Sequence, residues 1–313
     1  MKRVTKISDR VYFYNRGIPS SNTTLIRGEV NILIDPGYNP RGEVRSLFPL
    51  LSEVGISVHD IHEIWFTHNH PDHTQMAYYL LQENDKKVVS HPITKRVLET
   101  EPPLSGLIEM EKEMIRPILN RLYPGRLGKI RSLESLLFHS IRLYGKPLSI
   151  GAHSIKVNDC FTNGEKRYGI KVLFLPGHSP DEVGFFLDST LITGDLIATF
   201  NFKRPAVLNI PSSDIDDAIQ SIEKILNISP EWILPGHGNC SKIDRSSINE
   251  IYRRTIDLRK YGISLIKRTH SFFHYAFGLQ KALPLTVRLQ ERLALIPIIY
   301  KSYLKELDIE RSS

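Results

Sequence analysis

The chain has 313 residues, 41% hydrophobic and 24% charged, with two cysteines and a formal net charge of +7. That composition is globular, and the length suits one large domain or two ordinary ones, which excludes a low-complexity or disordered chain. Cys160 and Cys240 give neither a disulfide framework nor a thiolate metal site. No apolar run reaches the roughly 18 residues of a membrane span, and "MKRVTKISDRVYFYN" lacks an apolar signal core, so a cytoplasmic protein is expected.

Up to residue 241 short apolar runs alternate with turns. "VNILIDPG" (30–37), "IHEIWFTH" (61–68), "KVLFLPGH" (171–178) and "EWILPGH" (231–237) each read as a strand running into a loop. A helix is expected over "TQMAYYLLQEN" directly after His73. Residues 101–147, bounded by Pro102-Pro103 and Gly145 to Pro147, read as a helical insertion. "VGFFLDSTLITGD" reads as two strands joined at Asp188-Ser189, and "SDIDDAIQSIEKILN" as a helix with Ser213 or Asp214 as its N-cap. Strands mixed with helices and a hairpin point to an α+β, layered architecture rather than a uniform parallel sheet.

Residues 242–313 differ. They hold 14 Lys and Arg against 7 Asp and Glu, so the excess charge of the whole chain lies here and residues 1–241 balance. Apolar residues at intervals of three and four predict helices, broken at Pro284 and Pro297. The expected organisation is a domain over 1–241 followed by a basic helical extension. The extension is either a solvated helix face or a surface for an anionic partner, such as RNA or an acidic substrate.

Polar residues recur at the strand ends, where a rigid scaffold can aim loop side chains into one cleft. "THNHPDH" (67–73) follows one strand, His178 another, Asp195 a third and His237 a fourth. His68 and His70, two apart on extended chain, project to one side. Pro71 forces a turn that presents Asp72 and His73 differently, so two ligand sets face two metal positions. Imidazoles and carboxylates suit Zn2+, and also Mn2+ or Fe2+. Two such ions can share a carboxylate and a hydroxide, with the pKa of that water lowered to about 7.

In this order, "LIDPG", "THNHPDH", "PGHS", "TGD" and "PGHG" resemble the metallo-β-lactamase superfamily of hydrolases, over roughly residues 10–240 less the insertion. The resemblance implies an αββα sandwich of two face-to-face sheets with helices outside. It implies that His68, His70 and His178 hold a first metal, that Asp72, His73 and His237 hold a second, and that Asp195 bridges them. It also implies a bridging hydroxide that attacks a carbonyl or phosphoryl centre, with Asp72 and Asp195 as the catalytic carboxylates. Asp35 would stand behind the ligands or serve only as a turn residue.

Departures from the pattern narrow the function. Exported β-lactamases mostly lack the aspartate at the position of Asp195, flavodiiron proteins put glutamate where His70 stands, and glyoxalase II proteins usually carry Cys-Gly-His-Glu in place of "PGHG". Glu182 stands where a second histidine is common, so the hydrogen bonding behind the metals should differ. The reading is a binuclear hydrolase of a small-molecule ester, thioester or lactone, with an anionic substrate favoured by the basic segment. The alternative is an endoribonuclease that uses that segment to bind RNA. His62, His91, His139, His153, His270 and His274 have no partner at metal spacing and read as surface or packing residues, and Cys240 as a passive thiol. Tyr38, Phe200, Phe202 and Lys203 are candidates to line the pocket by position.

Overall fold

The computed structural model describes residues 4–17, 20–38, 41–100, 153–199, 205–210, 213–268 and 289–312. The insertion expected over 101–147 lies outside them, as do Phe200, Phe202, Lys203, His139, His270 and His274.

The first sheet runs in sequence order: β1 (Val4–Lys6), β2 (Val11–Tyr14), β3 (Thr23–Ile26), β4 (Ile32–Ile34), β5 (Glu63–Trp65), β6 (Lys87–Ser90) and β7 (Asp159–Cys160). Pairing is antiparallel as far as β4 and parallel from there to β7. The second sheet has the order β15 (Ser241–Lys242), β14 (Trp232–Pro235), β11 (Thr190–Gly194), β10 (Val183–Leu187), β9 (Ile170–Phe174) and β8 (Lys166–Arg167), with only β11 and β14 parallel. A two-stranded ribbon, β12 (Ile197–Ala198) with β13 (Ala206–Val207), completes the strands.

Strand alternation decides the layers, because successive side chains leave opposite faces. Val11, Phe13, Ile32, Ile34 and Trp65 from the first sheet meet Ile170, Val172, Val183, Phe185 and Leu234 from the second. The intervening Tyr12, Leu33, Ile64 and Phe66 pack outward with α1 (Phe48–Val54) and α3 (Met76–Glu83), through Leu50, Leu51, Met76 and Leu80. On the far side Leu173, Leu191 and Ile233 pack with Ala218, Ile222 and Ile225 of α5 (Ile215–Ile228) and Ile248 and Ile251 of α6 (Arg245–Arg268). Short helices α2 (Pro71–Thr74) and α4 (Pro92–Leu98) lie between α1 and α5 in the chain, and α7 (Leu289–Ser312) ends it. This is the expected helix–sheet–sheet–helix sandwich. Each fully buried Leu, Ile or Phe contributes about 1.5–3 kcal/mol to it.

Asp188 (φ 46°) and Ser189 (φ 57°) are both left-handed, the two-residue turn that matches hairpin twist, and Leu187 pairs with Thr190 as expected. Asp214 is the N-cap of α5, accepting from Asp216 N and Asp217 N.

The strand read in "IHEIWFTH" covers Glu63–Trp65 and runs into a loop before His68, as expected. Two local expectations are corrected. The helix expected after His73 begins earlier, since Pro71, whose fixed φ suits a first helical turn, starts α2 and places Asp72 and His73 on it. Pro297 lies inside α7 rather than ending a helix. An interior proline costs about 3 kcal/mol, and burial of Leu295, Ile298 and Ile299 against Ile215 and Ile263 offsets it.

Candidate metal centre

The loop after β5 carries His68 and His70, α2 carries Asp72 and His73, and the ends of β9, β11 and β14 lead to His178, Asp195 and His237. One set of donor atoms, from His68, His70, His178 and Asp195, lies within 4.8 Å of one another, and a second, from Asp72, His73 and His237, does likewise. All seven predicted residues are thus brought together. His70 Nδ1 is 2.8 Å from His68 Nε2 and 3.2 Å from His178 Nε2. Asp195 lies between the sets: Oδ2 is 3.7 Å from His178 Nε2 and 3.4 Å from His237 Nε2, and Oδ1 is 3.4 Å from His73 Nε2. Asp72 Oδ2 is 3.0 Å from His237 Nε2.

The outward hydrogen bonds of three rings assign their protons. His178 Nδ1 faces the Leu208 carbonyl at 2.9 Å, and His73 Nδ1 faces Asp35 Oδ2 at 2.8 Å. Thr67 donates its hydroxyl to Asp35 Oδ2 (2.7 Å), so its oxygen accepts from His68 Nδ1 at 3.0 Å. Each ring therefore holds its proton on Nδ1 and turns a bare Nε2 inward, the state of a metal ligand. His70 Nδ1 faces two such lone pairs and can share a proton with only one. His73 Nε2 and Asp195 Oδ1 are buried without a hydrogen bond. Converging lone pairs beside orphaned buried acceptors are costly alone and fit divalent metal binding.

Electrostatics agree with a bare Nε2 on His68 and His178, both of which burial holds below the usual imidazole range, whereas the carboxylates around His73 favour a protonated ring. Burial, reinforced by His73 and His70, pushes His68 well below the usual imidazole range, and burial with His178 holds His70 at about 4. Burial opposes charge on His73, yet Asp195, Asp35 and Asp72 together raise it well above its ordinary value. Burial also resists ionisation of Asp195, but His237 and His73 hold it well below the carboxylate range.

Asp35 serves both as turn and as support. It is left-handed (φ 49°), a conformation aspartate tolerates, and besides the two contacts on Oδ2 it accepts Thr67 N at 2.9 Å. Glu182 accepts Asp195 N at 3.0 Å on Oε1, which also lies 3.5 Å from His68 Nδ1. Burial and the neighbouring Asp195 push its carboxyl well above the ordinary range.

Sequence reasoning missed Asp181. Its fully buried carboxylate receives Asn69 N (3.0 Å), Asn69 Nδ2 (2.7 Å), Thr94 Oγ1 (2.6 Å) and the Ser179 hydroxyl, tying the His68–His70 loop to the His178 loop. Its one signal was the acidic pair after Pro180. Also missed was the grip of α5 on the His178 turn. Ser221 Oγ donates to Pro176 O (2.7 Å), Asp214 N to Gly177 O (2.8 Å) and Ser213 Oγ to His178 O (2.9 Å). Gly177 (φ 155°) lets the helix come this close, since a Cβ there would lie 2.7 Å from Ala218 Cα. Gly177→Ala is therefore expected to destabilise the fold by about 2–3 kcal/mol, the scale of an overpacked core. A urea midpoint equal to wild type would refute it.

The remaining candidates have structural employment. His91 Nδ1 caps α4 by accepting Ile93 N, His62 Nδ1 accepts Asn31 N, and His153 stacks on Tyr78. Tyr38 is buried. Burial pushes the Cys240 thiol up, away from reactivity.

The sequence profile of the Metallo-beta-lactamase superfamily matches residues 16–237, which spans every residue of both ligand sets. The chain belongs to the metallo-β-lactamase superfamily. A probable metallo-hydrolase of Bacillus subtilis, YqjP, is 24% identical over 225 residues, covering 68% of this chain and 66% of that protein. Another, MJ0888 of Methanocaldococcus jannaschii, is 28% identical over 225 residues, covering 70% of this chain and 88% of that protein. The metallo-β-lactamase family protein TTHA1429 of Thermus thermophilus superposes with a TM-score of 0.64 at 16% identity, over 97% of this chain and 95% of the other, and shows the shared fold. As a metallo-β-lactamase superfamily member the chain falls among hydrolases, and no helix among its described residues is long and apolar enough to cross a membrane.

Proposed function

We propose that the chain hydrolyses a small-molecule ester, thioester or lactone at a centre of two divalent metal ions, with zinc as the first candidate. His68, His70 and His178 would hold one ion, Asp72, His73 and His237 the other, and Asp195 both. The observation that carries this reading is the position of Asp195 between two closed ligand sets. Bound there, such ions supply Lewis acidity and a water that ionises near neutral pH. Asp72 is the more accessible carboxylate, its side chain 19% exposed against 5% for Asp195. Its Oδ2 is suited to accept a proton from an attacking water and to orient it. We read residues 1–241 as the catalytic unit and 242–313 as its extension, in a cytoplasmic protein.

An anionic substrate suits the basic segment, and exposed Arg253, Arg254, Lys260, Lys267 and Arg268 on α6 keep RNA as a second reading. Against RNA, Arg259, Lys301 and Lys305 are engaged with carboxylates inside the fold. The test is elemental analysis with a panel of acyl thioesters, aryl esters, lactones, bis(4-nitrophenyl) phosphate and labelled RNA. Metal near two per chain with ester or thioester turnover is the expected result. RNA cleavage that falls steeply with salt, with the esters inert, would replace this reading by the nuclease. No metal uptake under any loading condition would end both. Iron is a further arm of the loading, as the related TTHA1623 has been seen in a di-iron-bound form.

A further inference from the structure

The basic C-terminal segment was expected to face solvent or an anion from outside. Two of its lysines do something else. Lys301 Nζ lies 2.6 Å from Asp214 Oδ2, and Lys305 Nζ lies 3.0 Å from Oδ1 and 2.9 Å from Oδ2 of the same carboxylate. The Asp214 side chain is 8% exposed. It caps α5 through Asp216 N (3.1 Å) and Asp217 N (3.3 Å), while its own N–H holds Gly177 O and the preceding Ser213 holds His178 O.

We propose that Lys301 and Lys305 are positioning residues for the His178 metal-ligand turn, acting through the Asp214 carboxylate at the start of α5. The proposal rests on the metal-centre reading above.

The physical argument is one of charge and linkage. A carboxylate this buried is costly unless paired, so without the lysines Asp214 would move toward water or take up a proton. Either response weakens the cap that orders the first turn of α5. Two of the three donors on the carbonyls of residues 176–178 come from Ser213 and Asp214, which lead directly into that turn, so its disorder reaches His178 through them. The last helix is well placed to hold the lysines. Ser302 donates to Asp216 (3.0 Å), and Arg259 bridges Asp216 (2.6 Å) and Glu306 (2.9 Å). Gly262 of α6 has no room for a Cβ beside Ile299, so the two helices cross in close contact.

His178 belongs to one ligand set only, so one of two metal-binding steps should respond. The test is zinc titration against a competing chelator on the full chain, comparing wild type, Lys301→Met/Lys305→Met, the charge-restoring Lys301→Arg/Lys305→Arg, and Ile299→Ala. Ile299→Ala loosens the same helix interface without touching Asp214. Thermal unfolding of the metal-free proteins accompanies it, and titration is done below every melting range. The expected result is about a 10-fold weaker affinity in one step for the methionine variant, the scale of lost support behind a ligand. Arginine should recover most of that loss, and Ile299→Ala should lower the melting temperature with both steps unchanged. Unchanged affinity in the methionine variant would overturn the proposal and leave the metal centre standing. Equal weakening of both steps, matched by Ile299→Ala, would overturn it as a general loss of stability. Absence of zinc binding by wild type would instead overturn the metal-centre reading itself.

Discussion

Asp195→Asn is expected to leave one metal ion or fewer per chain in place of about two, and to lower hydrolysis by roughly 10³-fold. The substitution keeps the shape and removes the charge. In the wild type, one carboxylate faces His73 Nε2 and His237 Nε2 at 3.4 Å and His178 Nε2 at 3.7 Å, so both ligand sets depend on it. Asparagine removes the anionic ligand and turns an amide N–H toward at least one bare imidazole nitrogen, where it competes with a cation for the lone pair. The backbone should stay in place, because Asp195 N is held by Glu182 Oε1 rather than by its own side chain. Elemental analysis and steady-state rates on the best substrate of the panel decide the matter. Two metals per chain with undiminished turnover would remove Asp195 from the centre.

Asp35→Asn should act from behind the site. Its Oδ2 receives both the Thr67 hydroxyl (2.7 Å) and His73 Nδ1 (2.8 Å), and an amide placed there sets donor against two donors. His73 would answer by moving its proton to Nε2, the atom that faces Asp195 and the second ligand set, and so stop being a ligand. His68 loses its anchor through Thr67 as well. Metal affinity should fall by about 10–100-fold, and the metal-free fold by about 3–5 kcal/mol for breaking a buried charged network. Asparagine tolerates the left-handed φ of 49°, so backbone strain does not confuse the result. Chelator competition and urea unfolding measure the two effects. Agreement with wild type within about 0.5 kcal/mol, the scatter of surface substitutions, would mean that Asp35 is only a turn residue.

What the sequence by itself determined was what short-range chemistry writes into contiguous residues. Three histidines and an aspartate fall within residues 67–73, and the Pro-Gly-His and Gly-Asp strand ends repeat one device, so the seven candidate ligands were legible before their distances were known. The Asp188-Ser189 hairpin and the Asp214 cap were legible for the same reason, as each depends on two to four neighbouring residues. The tertiary structure decided the supports. Asp181 meets Asn69 across 112 positions, Asp35 meets His73 across 38, and Lys305 meets Asp214 across 91, and such pairs leave no periodic trace in a single sequence. Pro297 makes the same point from the other direction. Local rules end a helix there, and burial of its neighbours on α5 and α6, which only the folded chain brings close, carries the helix through.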